Sequence, residues 1–434
     1  MTDIATQHTD GPPRRRRIHP AWPVAAVSAL AIVAAGAFAT MTGLFTGPLH
    51  REFGWSHGSI GLAASVNMVV YGIVAPFSAA LMDRFGMRRV VGTALVAVAA
   101  GALLSTMMST LWQYVLTWGV LIGLGSGAMA LTFAATVTQR WFVRRRGLVS
   151  GVLTAAGVFG QFAFLPGQSW VVAGHGWRTA AALPALAALA ALPLVLLLRD
   201  HPADAGAGAY GALRPTPRPR PVPGAATRTV RVLGRAARGA PFWLLAATFA
   251  ICGASTNGVM WTHFTPAAHD HGMPATAASS LLALVGVFNV AGTVFSGWLT
   301  DRLDPRRLLA CCYALRGAAL FCLPVLMSAT VRPSMVGFVV VFGLLDVATV
   351  PPTLALCRAL YGADSAIVFG WVAAAHQLGA GAAAFLGGVA RDTFGSYDPL
   401  WAAAGAVCGA GSLLALVIAR PAVRCGAAAG PGLR

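Results

Sequence analysis

The chain has 434 residues, of which 57% are hydrophobic and 10% charged, and its mean hydropathy is +0.70. A soluble globule carries about 25% charged residues, so water is excluded as the main solvent, and apolar runs of the roughly 20 residues that cross a bilayer recur along the chain. The formal net charge of +18 would fit nucleic acid as partner of a soluble protein, but its placement along the chain points to a membrane and to no nucleic acid.

Residues 1–21 form a basic tail containing Arg14 to Arg17. The apolar stretch 22–45 that follows is longer than the apolar region of a signal peptide and reads as a first, uncleaved helix. Further helices are predicted over 59–81, 90–108, 111–138, 148–170 and 179–198, which completes a first six-helix half over residues 22–198. Residues 199–241 are polar, and RPTPRPRPVPG (Arg214 to Gly224) favours polyproline II, so the segment is expected to be a flexible linker. A second half, residues 242–420, follows with helices over 242–266, 275–299, 308–328, 334–356, 367–390 and 399–419. Residues 421–434 form a second tail. Fold class is therefore all-α membrane protein, with twelve transmembrane helices in two six-helix halves.

All 31 basic residues are arginine. Apart from Arg51, Arg178, Arg332 and Arg391 in the opposite loops and Arg316 inside a helix, they lie in the tails, the linker and alternate loops. The positive-inside rule then places both termini and the linker in the cytoplasm, with the chain in a plasma or inner membrane. Its cysteines (Cys252, Cys311, Cys312, Cys322, Cys357, Cys408, Cys425) form no CxxC pair, so neither a disulfide framework nor a metal site is expected. His263, His269 and His271 with Asp270 read as solvated loop residues rather than metal ligands. No cofactor is expected, and the chain is expected to act as a monomer.

An internal repeat is the strongest motif. DRFGMRR after the second helix (Asp83, Arg84, Arg88, Arg89) is in register with DRLDPRR after the eighth (Asp301, Arg302, Arg306, Arg307). The repeat resembles the loop signature of the major facilitator superfamily, with its leading glycine at Gly297 in the second copy and replaced by Ala79 in the first. WFVRRRGLVSGVLTAAGVFG (Trp141 to Gly160), GPLHREFGWSHGSIGLAASV (Gly47 to Val66), GWRTA (Gly176 to Ala180) and TVPPT (Thr349 to Thr353) resemble the monocarboxylate porter family and its bacterial relatives. These likenesses imply alternating access by two rocking halves, gating by the repeated loops, Asp83 set against the start of the eleventh helix and Asp301 against the start of the fifth near Arg144 to Arg146. Two departures stand out. Where proton-coupled carboxylate carriers have an acid or amide and then an arginine four residues on in the eighth helix, this chain has Asn289 and Thr293, and the fifth helix lacks the Gly-Pro pair of drug/proton antiporters.

Charge inside an apolar span is costly and marks a functional candidate. At about 1.5 Å per residue, Arg316, Asp346 and His376 all fall near mid-membrane. Arg316 and Asp346 are expected to pair, either as a structural bridge or as a proton-coupling device, and His376 to pack or to carry protons. In the first half only neutral polar groups reach this depth, among them Asn67, Tyr71 and Gln161. These three, with Thr42, Asn257 and Asn289, are the candidate cavity residues. No GxxxxGK[ST] phosphate loop or nucleophile constellation is present, so the sequence points away from an enzyme and toward a secondary transporter. Its expected substrate is a small organic acid moved with protons; proton-driven export of a drug-like or secondary metabolite is the alternative.

Overall fold

The computed structural model of the protein describes residues 19–38, 41–129, 131–162, 164–212 and 224–419. The Arg14 to Arg17 run, most of the proline-rich stretch and the second tail lie outside the described residues. Apolar helices dominate, and among the described residues the sole strand-like feature is an isolated bridge between Phe142 and Tyr210.

Four helices of spanning length open the chain: α1 Ala21–Phe53, α2 His57–Phe85, α3 Met87–Ser105 and α4 Leu111–Trp141. The next apolar span, Leu148–Val195, has 48 residues, enough for two crossings. It is interrupted at Gly176, whose φ of 81° and ψ of 166° are not helical, and we number its parts α5 (148–175) and α6 (177–195). A side chain would be strained at this positive φ, which accounts for the glycine. The second half comprises α7 Ala240–Asp270, α8 Ala275–Thr300, α9 Pro305–Leu326, α10 Pro333–Tyr361, α11 Ser365–Phe394 and α12 Asp398–Val417. The chain thus makes twelve crossings, as the hydrophobic runs predicted.

Helices without hydrophobic driving force between them, as in lipid, associate through close backbone approach at small residues. This chain does so at two of the contacts between its halves. Gly61 of α2 faces the carbonyl of Ala384 on α11, Gly381 of α11 faces that of Ser65 on α2, and Gly43 of α1 faces those of Trp261 and Thr262 on α7. Within the second half, Gly253 of α7 lies against the His376 carbonyl and Gly379 of α11 against the Ala250 carbonyl.

The linker differs from the expected flexible segment. Asp200 caps α3 by accepting the Met87 N–H at 2.5 Å. Tyr210 joins the α4–α5 junction: its N–H donates to the Trp141 carbonyl at 2.8 Å, and its carbonyl accepts from Val143 and Arg144. A linker helix, Ala225–Ala236, buries Thr229, Val232 and Ala236 along one face, the spacing of an amphipathic surface helix. It is tied to α11 by Arg228 and Arg235 on Asp364 and by the Trp371 indole N–H on the Thr229 carbonyl. One end of the linker is therefore fastened to each half.

Candidate functional site

The densest polar cluster inside the bundle forms where α10 breaks. The helix runs Pro333–Asp346, bends, and resumes as Val350–Tyr361 with prolines in its first turn. A proline donates no N–H, so carbonyls around such a break lose helical partners and must find others. Arg316 of α9, fully buried, supplies them: Nη2 donates to the carbonyls of Leu345 at 2.6 Å and Asp346 at 2.7 Å. Its Nη1 reaches Cys252 Sγ at 3.2 Å and Ser255 Oγ at 3.3 Å, both on α7. The Ala348 carbonyl accepts from Ser296 Oγ of α8 at 2.5 Å.

The expected Arg316–Asp346 ion pair is therefore corrected. The two residues meet, but the guanidinium holds the main chain of α10 and not the carboxylate. Asp346 Oδ2 accepts instead from Asn289 Nδ2 of α8 at 2.9 Å. Asn289 in turn is approached by Thr293 Oγ1, at 2.8 Å from its carbonyl and 3.3 Å from Oδ1. Asp346 Oδ1 is buried without a hydrogen-bond partner. The two positions that depart from the carboxylate-carrier pattern, Asn289 and Thr293, are thus neutral groups beside the acid, with Asn289 bonded to it.

α7 contributes a widened turn. Over Ala254–Met260 the helix is π-type, and the Trp261 N–H bonds the Thr256 carbonyl five residues back. Thr262 Oγ1 satisfies the Asn257 carbonyl at 2.7 Å. Such a bulge rotates the following side chains relative to a regular helix, and it makes Asn257, half-buried, the centre of the irregular stretch. His376 of α11 is half-buried, with its ring 4.9 Å from that of Phe249. His263, expected in a solvated loop, is instead buried on α7 with Nε2 3.0 Å from the Ala384 carbonyl.

In the first half, Thr42 does not point to a cavity. It is buried, and its hydroxyl accepts the Trp118 indole N–H of α4 at 3.0 Å. Asn67 of α2 donates to the Trp118 carbonyl at 2.8 Å, within a second π-type turn, Val115–Leu121. Tyr71 on α2 and Gln161 on α5 are half-buried.

Both copies of the repeated loop make their contacts inside their own half. Asp83 pairs with Arg140 at the end of α4 and not with α11, which corrects the expected latch. Asp301 has no ion pair among the described residues, and the Arg146 side chain lies outside them. Arg302 lies over the Trp298 ring at 4.0 Å. Arg306 bonds Asp304 at 2.8 Å, holding that carboxyl below its ordinary range, and reaches the Ile418 carbonyl just past the end of α12. Arg84, Arg88, Arg89 and Arg307 are surface groups.

Near the termini's end α2 touches α11 through the rings of Phe77 and Trp371, 5.6 Å apart, and polar contacts fasten the halves at the opposite end. Asp392, late in α11, caps the start of α2: Oδ1 accepts from the His57 N–H at 3.0 Å and Oδ2 from the Gly58 N–H at 2.7 Å. α1 and α7 close the same end through Gly43. At the termini's end α4 and α10 scarcely touch. Asp392 was not legible as a contact between halves, since a carboxylate that caps a helix in trans has no local pattern. The environment of Arg316 was legible only in part: the Pro351-Pro352 pair announces a break in α10, but nothing linear announces Cys252 and Ser255 as partners.

A family model described as Major Facilitator Superfamily matches residues 27–290 and 250–426. The chain is 30% identical over 358 residues to monocarboxylate transporter 13 of Rattus norvegicus, covering 80% of this chain and 77% of the relative. It is 24% identical to the uncharacterized MFS-type transporter YcxA of Bacillus subtilis (strain 168), over 71% and 72% of the two chains. Among solved structures, a D-xylose-proton symporter superposes with a TM-score of 0.72 at 15% identity, over 92% of this chain and 98% of that one. The inward open conformation of the xylose transporter XylE from E. coli gives 0.70 at 15% identity, over 92% and 96%. Twelve crossings in two halves, a repeated charged loop in register and these matches together place the chain in the major facilitator superfamily, as a multi-pass membrane transporter and not an enzyme.

Proposed function

We propose that the protein carries a small organic acid, of monocarboxylate type, across a cell membrane together with protons. The carrying observation is the buried acid of α10: Asp346, whose Oδ2 accepts from the neutral amide of Asn289 and whose Oδ1 has no hydrogen-bond partner among the described residues. A carboxylate charge at this depth lacks a direct counter-ion, so the group is suited to taking up and giving off a proton as water reaches it from one side or the other. Relatives named monocarboxylate transporters support the substrate class.

In proteoliposomes with an inward-directed proton gradient, uptake of short-chain monocarboxylates is expected to rise severalfold over that without a gradient. Asp346→Asn, which keeps size and a hydrogen-bonding amide, is expected to abolish the stimulation while leaving substrate exchange at equal pH. Gradient-stimulated uptake unchanged in Asp346→Asn would remove Asp346 from proton coupling, and absence of any carboxylate exchange would remove the substrate class.

We read the termini and linker as cytoplasmic, from the arginine distribution. The closed end then faces outward, and the parted ends of α4 and α10 face the cell interior. Ala205→Cys, in the exposed part of the linker, is expected to resist an impermeant maleimide in intact cells and to react after permeabilisation. Labelling of intact cells would invert the orientation.

A further inference from the structure

Between α3 and α6, at the end of the bundle where the termini lie, a groove of about 520 Å³ opens to the bilayer. Its chemistry is divided. At the membrane surface stand Arg88 and Arg89, exposed and without an ion pair among the described residues. Below them the walls are apolar, with Leu189, Leu192 and Pro193 of α6 spaced to share one helix face. Gly92 forms the floor. It lies four residues after Arg88 and three after Arg89, so all three fall on one side of α3, and a Cβ at Gly92 would meet only Val195 Cγ1 at 3.9 Å. The slot beneath the arginines is therefore open because this residue has no side chain. The nearby acid, Asp200, is engaged on the Met87 N–H, and Arg199 adds a further exposed cation beside it.

We propose that this groove binds an anionic phospholipid, its phosphate on Arg88 and Arg89 and an acyl chain laid along Gly92 and the α6 wall. The charge complementarity selects the occupant: two free guanidiniums at headgroup level above a hydrocarbon slot match an anionic lipid and not a soluble anion or an uncharged hydrophobe. A second groove, along α8 at Val287, Val290, Val294 and Trp298, makes the contrast. It is larger, at about 700 Å³, yet no charged residue lines it; the cation at its end, Arg302, is held on the Trp298 ring and carbonyl, so it offers hydrocarbon contact without a free pair of guanidiniums.

The test is native mass spectrometry and thermal unfolding of the delipidated full chain, with phosphatidylglycerol or phosphatidylcholine added back. The wild type is expected to retain phosphatidylglycerol with roughly tenfold or greater preference, given about 1 kcal/mol per basic residue near anionic headgroups, and to be stabilised by it. Arg88→Gln/Arg89→Gln is expected to lose the preference. Gly92→Leu, which fills the slot and leaves both arginines, is expected to lose retained lipid. Arg332→Gln, an arginine in an opposite loop, is expected to behave as wild type. Equal retention of the two lipids by wild type, an unchanged preference in Gly92→Leu, or equal stabilisation by inorganic phosphate alone would each overturn the proposal.

Discussion

Arg316→Ala is expected to be the most damaging single substitution in the cluster at the α10 break. It removes both donors from the Leu345 and Asp346 carbonyls, leaves Cys252 and Ser255 without their charged partner, and opens a cavity at a fully buried position. A buried polar group left unsatisfied costs about 1 to 3 kcal/mol, so two carbonyls and the cavity together predict a loss of roughly 3 to 5 kcal/mol. This would be measured as a fall in thermal stability of the detergent-solubilised protein. Arg316→Lys is expected to recover part of it, because a point charge can still reach carbonyls but not the whole fork of contacts. Asp346→Ala should cost less, since it deletes one bond to Asn289. Because guanidinium and carboxylate are not directly bonded, Arg316→Ala/Asp346→Ala is expected to be no more stable than Arg316→Ala alone. Recovery in the double mutant would mean that the two side chains form an ion pair after all.

Gly253→Ala should be nearly as harmful, for a steric reason. The added methyl would be driven into the His376 carbonyl of α11, which belongs to a helix backbone and cannot swing aside. The reciprocal contact, Gly379 against the Ala250 carbonyl, fixes the same crossing, so α7 and α11 would have to separate along their length. Overpacking of this kind costs about 1 to 3 kcal/mol. Here it would also displace the π-type turn next to Arg316, so transport should fall with stability. Gly174→Ala, where an added Cβ meets nothing within 4 Å, is the matched control and should leave both unchanged. A Gly253→Ala protein as stable and active as the control would show that the helices adjust at no cost.

The twelve crossings were readable because each is an apolar run bounded by charge or turn residues, and lipid imposes that pattern directly on the sequence. The depth of Arg316 and Asp346 was readable by counting residues, and their proximity followed. The identity of the bonded atoms was not. Residue counting locates a side chain along its helix axis and is blind to rotation, so it could not tell a carboxylate from a main-chain carbonyl as the partner of a guanidinium. Thr42 shows the same limit, since its depth suited a cavity while its rotation turns it toward Trp118. For Asp83 the likeness to a family supplied a partner on α11, whereas Arg140, one helix end away in the same half, stands closer. The linker helix was missed because arginine and proline dominate the composition around it, while the buried face of Thr229, Val232 and Ala236 emerges only at helical spacing.

Asp392 has a consequence for the energetics of opening. The first turn of α2 already has a cap of its own, Ser56 Oγ accepting from the Ser59 N–H, and Asp392 adds a second acceptor from the opposite half for the amides of His57 and Gly58. When that end of the molecule parts, no helix is left frayed: two amides, the His57 ring nitrogen at 3.0 Å from Oδ1 and one carboxylate, all near the surface, trade each other for water. Each such exchange is worth only about 0.5 to 3 kcal/mol. The cap therefore adds a small, water-replaceable contribution to closure at this end, beside the close packing of α1 on α7 and of α2 on α11.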